Sequence, residues 1–284
     1  MRYGQTMKTA RRRKSLAPVQ APAPADTRAA SEIVVRHCHG LAEFATCLEV
    51  ERAVWRSADV DLVPLPLFVV AAEIGGQVLG AFEGDRMVGF SLSFPGVRKR
   101  QSFFHSHMTG VLAAYSNRGI GRSLKLFQRQ DALARNVDRI EWTFDPLQVK
   151  NAYFNLVRLG AVVRRFLPNL YGSTTSPLHS GLPTDRLVAE WWLRSARVRQ
   201  AVAPGPAAKT PPRRTPRGKE WVRIRVPAGM DDLARNKPDE AARVQAEIRQ
   251  EFEHWLGRGY AATSVELGAD GCAYLLQPWP KDKK

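Results

Sequence analysis

The stretch "VLAAYSNRGIGRSLKLFQRQDALARN", Val111 to Asn136, decides how the chain is read, because it sets two glycines between an apolar run and a long amphipathic segment. A strand that ends there must turn into a helix, and the apolar spacing predicts that helix from about Arg122 to Arg135. Without a Cβ, Gly119 and Gly121 let the backbone approach a bulky group closely. The first N–H groups of a helix have no partner inside it, and the dipole makes that end positive. The amides from Arg118 through Ile120 and Gly121 to Ser123, flanked by the charges of Arg118 and Arg122, are expected to suit a phosphate group, although the spacing alone serves a tight turn equally well. Two other phosphate-binding patterns are excluded. A dinucleotide fingerprint needs a third glycine three residues after Gly121, where Leu124 stands, and no Gly-Lys-Ser/Thr follows at the distance a P-loop requires.

Upstream of the turn, "EIVVRHC" alternates as a strand, "GLAEFATCLEVERAVW" has helical spacing, and "DLVPLPLFVVAAEIGG" reads as a second helix stopped at Gly75 and Gly76. "QVLGAFEGD" and "RMVGFSLSFPG" are expected to pair as an antiparallel hairpin, and "SFFHSHMTGVL" is a further extended run. Downstream come the strand "DRIEWTFDP", the helix "VKNAYFNLVRLG" stopped at Gly160, and the strand "AVVRRFLPNLYG"; "DRLVAEWWLR" favours a strand, though a short helix also fits. The last part, from "EWVRIRVP" through the helix in "PDEAARVQAEIRQEFEHWLGRGY" to "AATSVEL" and "CAYLLQ", reads β-α-β-β, as either a satellite domain or an extension of the main sheet. The expected organisation is a basic Pro/Ala-rich tail at 1–30, a main domain at 31–201, a Pro-rich linker or loop at 202–219, and the C-terminal subdomain at 220–280.

With 284 residues and 44% hydrophobic content, the chain can fill a substantial core. The net charge of +16 raises the question of nucleic acid, and its location answers it. Residues 1–30 carry seven Lys/Arg against Asp26, residues 202–219 carry five with no acid, and the last four residues are basic as well. The excess thus falls in the irregular segments, which implies loose attraction to polyanions and no specific nucleic-acid partner. No apolar run reaches the roughly 18 residues of a membrane span, and the start lacks a signal-peptide core, so no membrane partner is expected and the reading is cytoplasmic. The cysteines, Cys38, Cys47 and Cys272, are too few and scattered for a disulfide framework or a zinc site, and His37 and His39 beside Cys38 lack further ligands nearby; no metal is expected.

The succession from Ile33 to Gly172, a strand, two helices, three strands, a glycine turn, a helix, a strand, a helix and a strand, resembles the GNAT superfamily of acyl-CoA-dependent N-acyltransferases. "SNRGIG" is similar to that family's Arg/Gln-x-x-Gly-x-Gly/Ala turn, with Ser116 where Arg or Gln usually stands, and "NAYFNLVRLGAVV" resembles its later helix. More narrowly, "SHMTGVL", "WTFDPL" and "LPNLYG" look like a bacterial subgroup of mostly unassigned substrate, some members of which are associated with N-succinylation of amino acids. The resemblance implies an α/β (α+β) fold with a mixed, mostly antiparallel central sheet flanked by helices, here with a C-terminal β-α-β-β extension. It also implies acetyl-CoA or another acyl-CoA as co-substrate and a small-molecule amine as acceptor, with a homo-oligomer open.

On that resemblance, Asn117, Arg118, Gly119, Ile120, Gly121, Arg122 and Ser123 would hold the pyrophosphate, Val111 and Leu112 the thioester carbonyl, and Asn151 would reach the pantetheine arm. The family's general base stands about fourteen residues before the first glycine, which gives His105, with His107 on the same strand face; either imidazole has a suitable pKa near neutrality, and partly buried sheet histidines are the plainer alternative. The family's proton-donating tyrosine falls on Leu156, which cannot donate; Tyr171 and Tyr153 are the substitutes within reach, although thiolate is also a fair leaving group unaided. Asn155 adds an i, i+4 partner to Asn151, while Glu141 and Asp145 make a weak carboxylate pair in which Asp145 before Pro146 suits turn chemistry. Trp191 and Trp192 cannot both face one core. Two rival readings are a CoA-binding GNAT-fold scaffold without turnover, suggested by Leu156 and Ser116, and a basic nucleic-acid-associated protein, suggested by the tails.

Overall fold

A computed structural model of the chain describes residues 32–56, 58–172, 181–203 and 220–280. The expected tail at 1–30 and most of the linker at 202–219 lie outside the described residues. Among these residues ten strands form one sheet: β1 (Ile33–His37), β2 (Gln77–Glu83), β3 (Arg86–Arg98), β4 (Gln101–Val111), β5 (Arg139–Phe144), β6 (Val162–Leu167), β7 (Arg186–Trp192), β8 (Val222–Pro227), β9 (Tyr260–Gly268) and β10 (Gly271–Pro278). Their order is β1-β2-β3-β4-β5-β7-β6-β9-β10-β8. Every neighbouring pair is antiparallel except β4 and β5. The sheet is thus mixed and mostly antiparallel, as expected.

The parallel pair is the feature that shapes the molecule. β4 and β5 are paired only at Phe104 with Ile140 and His105 with Glu141. Two residues further on, β4 is bulged against β3, since Ser93 faces Ser106 while Leu92 faces Met108, leaving His107 as the extra residue. A bulge bends its strand and adds twist. β4 therefore parts from β5, and a wedge opens between Ser106–Val111 and Trp142–Phe144.

Seven helices accompany the strands among the described residues: α1 (Gly40–Trp55), α2 (Leu65–Glu73), α3 (Ile120–Ala134), α4 (Val149–Tyr153), α5 (Ala196–Val202), α6 (Met230–Asn236) and α7 (Pro238–Gly257). α1 and α2 bury Phe44, Cys47 and Phe68 against Phe90 and Leu92 on one face of β1 to β4. α3 covers the opposite face with Ile120 and Leu124 against Leu79, Ala81 and Val88. A third apolar cluster lies under α4 and α7, running from Ile140, Trp142 and Trp191 through Leu156 and Val163 to Phe252 and Tyr274. The C-terminal strands share this cluster and join the sheet where Ala262 of β9 pairs with Val163 of β6, so they extend the main sheet. α3 begins two residues earlier than the apolar spacing suggests, and α5 and α6 were not legible as separate helices. Both are short helices of seven residues next to stronger signals.

α4 continues as a π-helical segment, Phe154–Arg158, which Gly160 ends at φ +74°. A side chain at Gly160 would meet Ala201 Cβ at 3.0 Å and Arg197 O at 3.1 Å, so α5 requires the glycine twice, for conformation and for space. Arg197 fixes this junction: its guanidinium donates to Gly160 O (3.0 Å), Leu156 O (2.9 Å) and Thr263 O. Removing it leaves three carbonyls short of a donor in an interior that joins α4, α5 and β9. Arg197→Met is expected to cost roughly 2–5 kcal/mol by urea unfolding, against about 0.5 kcal/mol or less for an exposed control such as Arg243→Met.

Candidate active site

A short 3-10 turn, Ala113–Tyr115, separates β4 from α3, and then Asn117 (φ +62°) and Gly119 (φ +83°) both take the left-handed conformation before the helix begins at Ile120. Among the described residues, none accepts a hydrogen bond from the backbone N–H groups of Arg118, Gly119, Ile120, Gly121 or Arg122. The expectation for Ser123 needs correction: its N–H is committed to Gly119 O at 3.0 Å, closing the first turn of α3. Gly121 is informative because nothing among the described residues asks for it. Its φ is not positive, and an added Cβ would meet no atom within 4 Å. A glycine in a first helical turn that neither conformation nor packing requires leaves room for something from outside.

Positive charge surrounds this turn. Arg118 lies 4.8 Å over the Tyr115 ring and 3.3 Å from Glu83, whose other oxygen accepts from Tyr115 Oη at 2.6 Å. Arg122 donates to Val202 O at 3.1 Å, while its Nε is buried without a hydrogen-bond partner among the described residues. Burial, with the nearby Arg158 guanidinium, lowers the Arg122 pKa. Five unpaired amides, a helix N-terminus and two arginines together fit a diphosphate.

The wedge continues from this turn toward the sheet interior. Leu112 N–H is bonded to Val88 O at 2.9 Å, so its amide is not available to hold a thioester carbonyl, contrary to expectation. Strand alternation turns the N–H of Val111 the other way, toward the wedge. Lys125 lies where β4 and β5 part, buried on α3, with Nζ donating to Ser106 Oγ at 2.8 Å and 4.1 Å above the Trp142 ring. Burial pushes its pKa down to about 7. Ser106, Ser91 and Ser93 are all bonded to Gln128 of α3, at 3.1, 2.9 and 2.6 Å. Lys125 was missed in the sequence, although it shares a helix face with Gly121, Gln128 and Ala132, and a lysine on such a face was the available signal.

His105 and His107 stand on the sheet face opposite α3, their rings 6.0 Å apart, with Phe94 edge-on to His107 at 5.8 Å. Burial, reinforced by the neighbouring His107 and offset in part by Glu141, lowers the His105 pKa to about 4. His107 keeps an exposed edge, and the crowding of the rest of its ring lowers its pKa too. Tyr171 donates to or accepts from Thr143 Oγ1 at 2.9 Å. Thr143 is two residues beyond Glu141, the register partner of His105, so Tyr171 shares the histidines' face at about 7 Å along the strand.

The later helix contributes less than expected. Leu156 is fully buried in the core, and Asn155, also buried, donates to Asn151 Oδ1 at 3.2 Å, leaving Asn151 exposed as its acceptor. Asp145 does turn chemistry, accepting from Leu147 N at 2.8 Å. Trp191 is buried and Trp192 lies on the histidines' face. Among the described residues no group of three His, Cys, Asp or Glu side chains is close enough to hold a metal ion, and no helix is long and apolar enough to cross a membrane.

No protein-family model and no curated protein matches the chain. Solved structures do. The chain is similar to the ribosomal-protein-S18-alanine N-acetyltransferase from Escherichia coli, at 12% identity over 58% of this chain and 96% of that one, with a TM-score of 0.46. It is similar to Naa50 of Arabidopsis thaliana in complex with a bisubstrate analogue, at 16% identity, 56% and 97% coverage and a TM-score of 0.45. It is also similar to FeeM, an N-acyl amino acid synthase from uncultured soil microbes, at 12% identity, 57% and 91% coverage and a TM-score of 0.44.

Proposed function

We propose that the chain is an acyl-CoA-dependent N-acyltransferase acting on a small amine. One observation carries the reading: the unpaired amides of Arg118–Arg122, with open space at Gly121, stand at the mouth of a wedge whose vertex is the His105–Glu141 pair. The amides and Arg122 hold the pyrophosphate of an acyl-CoA, and the wedge takes its narrow arm. The Val111 N–H polarises the thioester carbonyl. The amine approaches from the histidines' face, where His105 or His107 removes its proton. The C–N bond forms as the C–S bond breaks, and the thiolate leaves as the more stable anion or takes a proton from Tyr171 or solvent. Buried unpaired cysteines, Cys38, Cys47 and Cys272, fit a reducing, cytoplasmic setting.

A neutral imidazole is the working form, so the lowered His105 pKa carries a pH consequence. Activity in kcat/KM is expected to persist well below pH 6.5 and to fall on an acid limb near pH 4. Thiol release from acetyl-CoA and succinyl-CoA across a panel of amines tests the whole reading; CoA binding with no turnover on any amine would favour the scaffold alternative. The double variant His105→Ala, His107→Ala is expected to keep CoA affinity and lose about 100-fold or more in turnover at neutral pH, and unchanged turnover removes both from the mechanism.

A further inference from the structure

Strand register places one set of side chains beside the two histidines. Arg98 of β3, Phe103 and His105 of β4, Arg139, Glu141 and Thr143 of β5, and Glu190 and Trp192 of β7 all point to the face opposite α3. Arg165 of β6 joins them, since its guanidinium meets Glu141 at 2.7 Å. Arg98 meets the same carboxylate at 2.6 Å, and Arg139 Nε lies 3.3 Å from it. Glu190 accepts from Arg164 Nε at 3.0 Å and from Trp192 Nε1 at 3.3 Å.

Four guanidinium groups therefore stand against two carboxylates. The glutamates are buried beneath them and hold them in place, while Arg139 stands 5.0 Å from both the Phe103 and Trp192 rings. Arg98 and Arg165 keep 42% and 36% of their side chains exposed. Arg139 is only 8% exposed, yet its Nη2 has no hydrogen-bond partner among the described residues. A network that served stability alone would balance its charge and satisfy that donor. This one leaves positive charge and a buried donor beside His105.

We infer that this arginine face is the acceptor subsite, and that it takes an amine bearing an oxyanion, carboxylate or phosphate, held on Arg98, Arg139 and Arg165 with its amino group directed at the histidines. The inference rests on the acyltransferase reading for the role of the amine, but the oxyanion subsite has its own readout. Planar guanidinium forks suit such groups, because two parallel N–H donors match two oxygens.

The test uses the full chain with acetyl-CoA and matched acceptors: glutamate against its diamide, and phosphoethanolamine against ethanolamine. The anionic member of at least one pair is expected to have a kcat/KM about tenfold higher or more, and the better pair tells carboxylate from phosphate. Arg165→Gln, and separately Arg98→Gln, should erase that preference through the acceptor KM, with the KM for acetyl-CoA unchanged; each variant leaves Glu141 two of its three arginines. Equal turnover within both pairs overturns the subsite and leaves acyl transfer standing. Calorimetry on the CoA-loaded protein supplies the second arm. Glutamate or phosphoethanolamine binding that Arg165→Gln weakens about tenfold keeps the subsite even where no amine is acylated, an outcome that would count against the acyltransferase reading instead. Binding that is absent, or indifferent to both variants, overturns the subsite.

Discussion

Gly121→Asp is expected to lower coenzyme A affinity by about 100-fold or more while leaving α3 as stable as before or slightly more so. The two effects have opposite signs for separate reasons. Among the described residues a Cβ at position 121 meets no atom within 4 Å, and glycine within a helix costs roughly 0.5–1 kcal/mol relative to alanine. An acidic group in the first turn also complements the helix dipole. A bound diphosphate would lie against the same amides, so the new carboxylate occupies its space and repels its charge. Gly119 cannot give so clean a result, because φ +83° strains any replacement and mixes loss of fold with loss of ligand. Calorimetric titration with CoA, run beside thermal unfolding, checks both halves. Unchanged affinity in Gly121→Asp rejects the cradle. Gly121→Ala should show a weaker version of the same divergence.

Lys125→Met is expected to raise stability at pH 7 and below by about 1–4 kcal/mol. Among the described residues Lys125 has one hydrogen-bond partner, Ser106 Oγ, and an aromatic face, and burial pulls its pKa from 10.5 to about 7. Between pH 7 and 10.5 the unfolded chain holds a proton that the folded chain releases, so this group's contribution to stability rises with pH across that window, by several kcal/mol in order of magnitude. Below about pH 7 the full cost of burying the ammonium applies. The advantage of the methionine variant should therefore be largest at neutral pH and fade toward pH 10.5. Urea titrations of both proteins across that range measure the difference directly, with all other titrating groups cancelling. A variant less stable than the parent at pH 7 would mean that Ser106 and Trp142 hold the ammonium far better than their geometry suggests.

Most strands and the long helices could be read from the sequence because each carries its period on its surface. "EIVVRHC" alternates, and the segment after Pro238 keeps helical spacing for twenty residues. The glycine turn was equally legible as a turn, since two glycines between an apolar run and an amphipathic segment mark the break between strand and helix. What was not legible depended on register. Nothing in "RKRQSFFHSH", "DRIEWTF" or "AVVRRFL" shows that Arg98, Arg139 and Arg165 surround one carboxylate, because a one-residue slip in any strand would send its arginine to the other face. The bulge at His107 was invisible for the same reason. The commitments of Leu112 and Ser123 were lost because a motif names residues without saying which amides are already spent. Lys125 stood in plain view, but its burial is a tertiary fact.

The seam between β4 and β5, two residue pairs long, leaves two strand edges facing each other inside the protein. At the rim of a sheet, unpaired edges invite the strands of other molecules. Here they diverge from a common vertex, so a flat strand with side chains on both faces finds no register that satisfies both. A thin chain carrying its own amide groups can lie between them and bond to each edge in turn. If the proposed acyl-CoA binds there, the parting of β4 and β5 would act as a filter on shape, closed to a flat strand and open to a slender ligand.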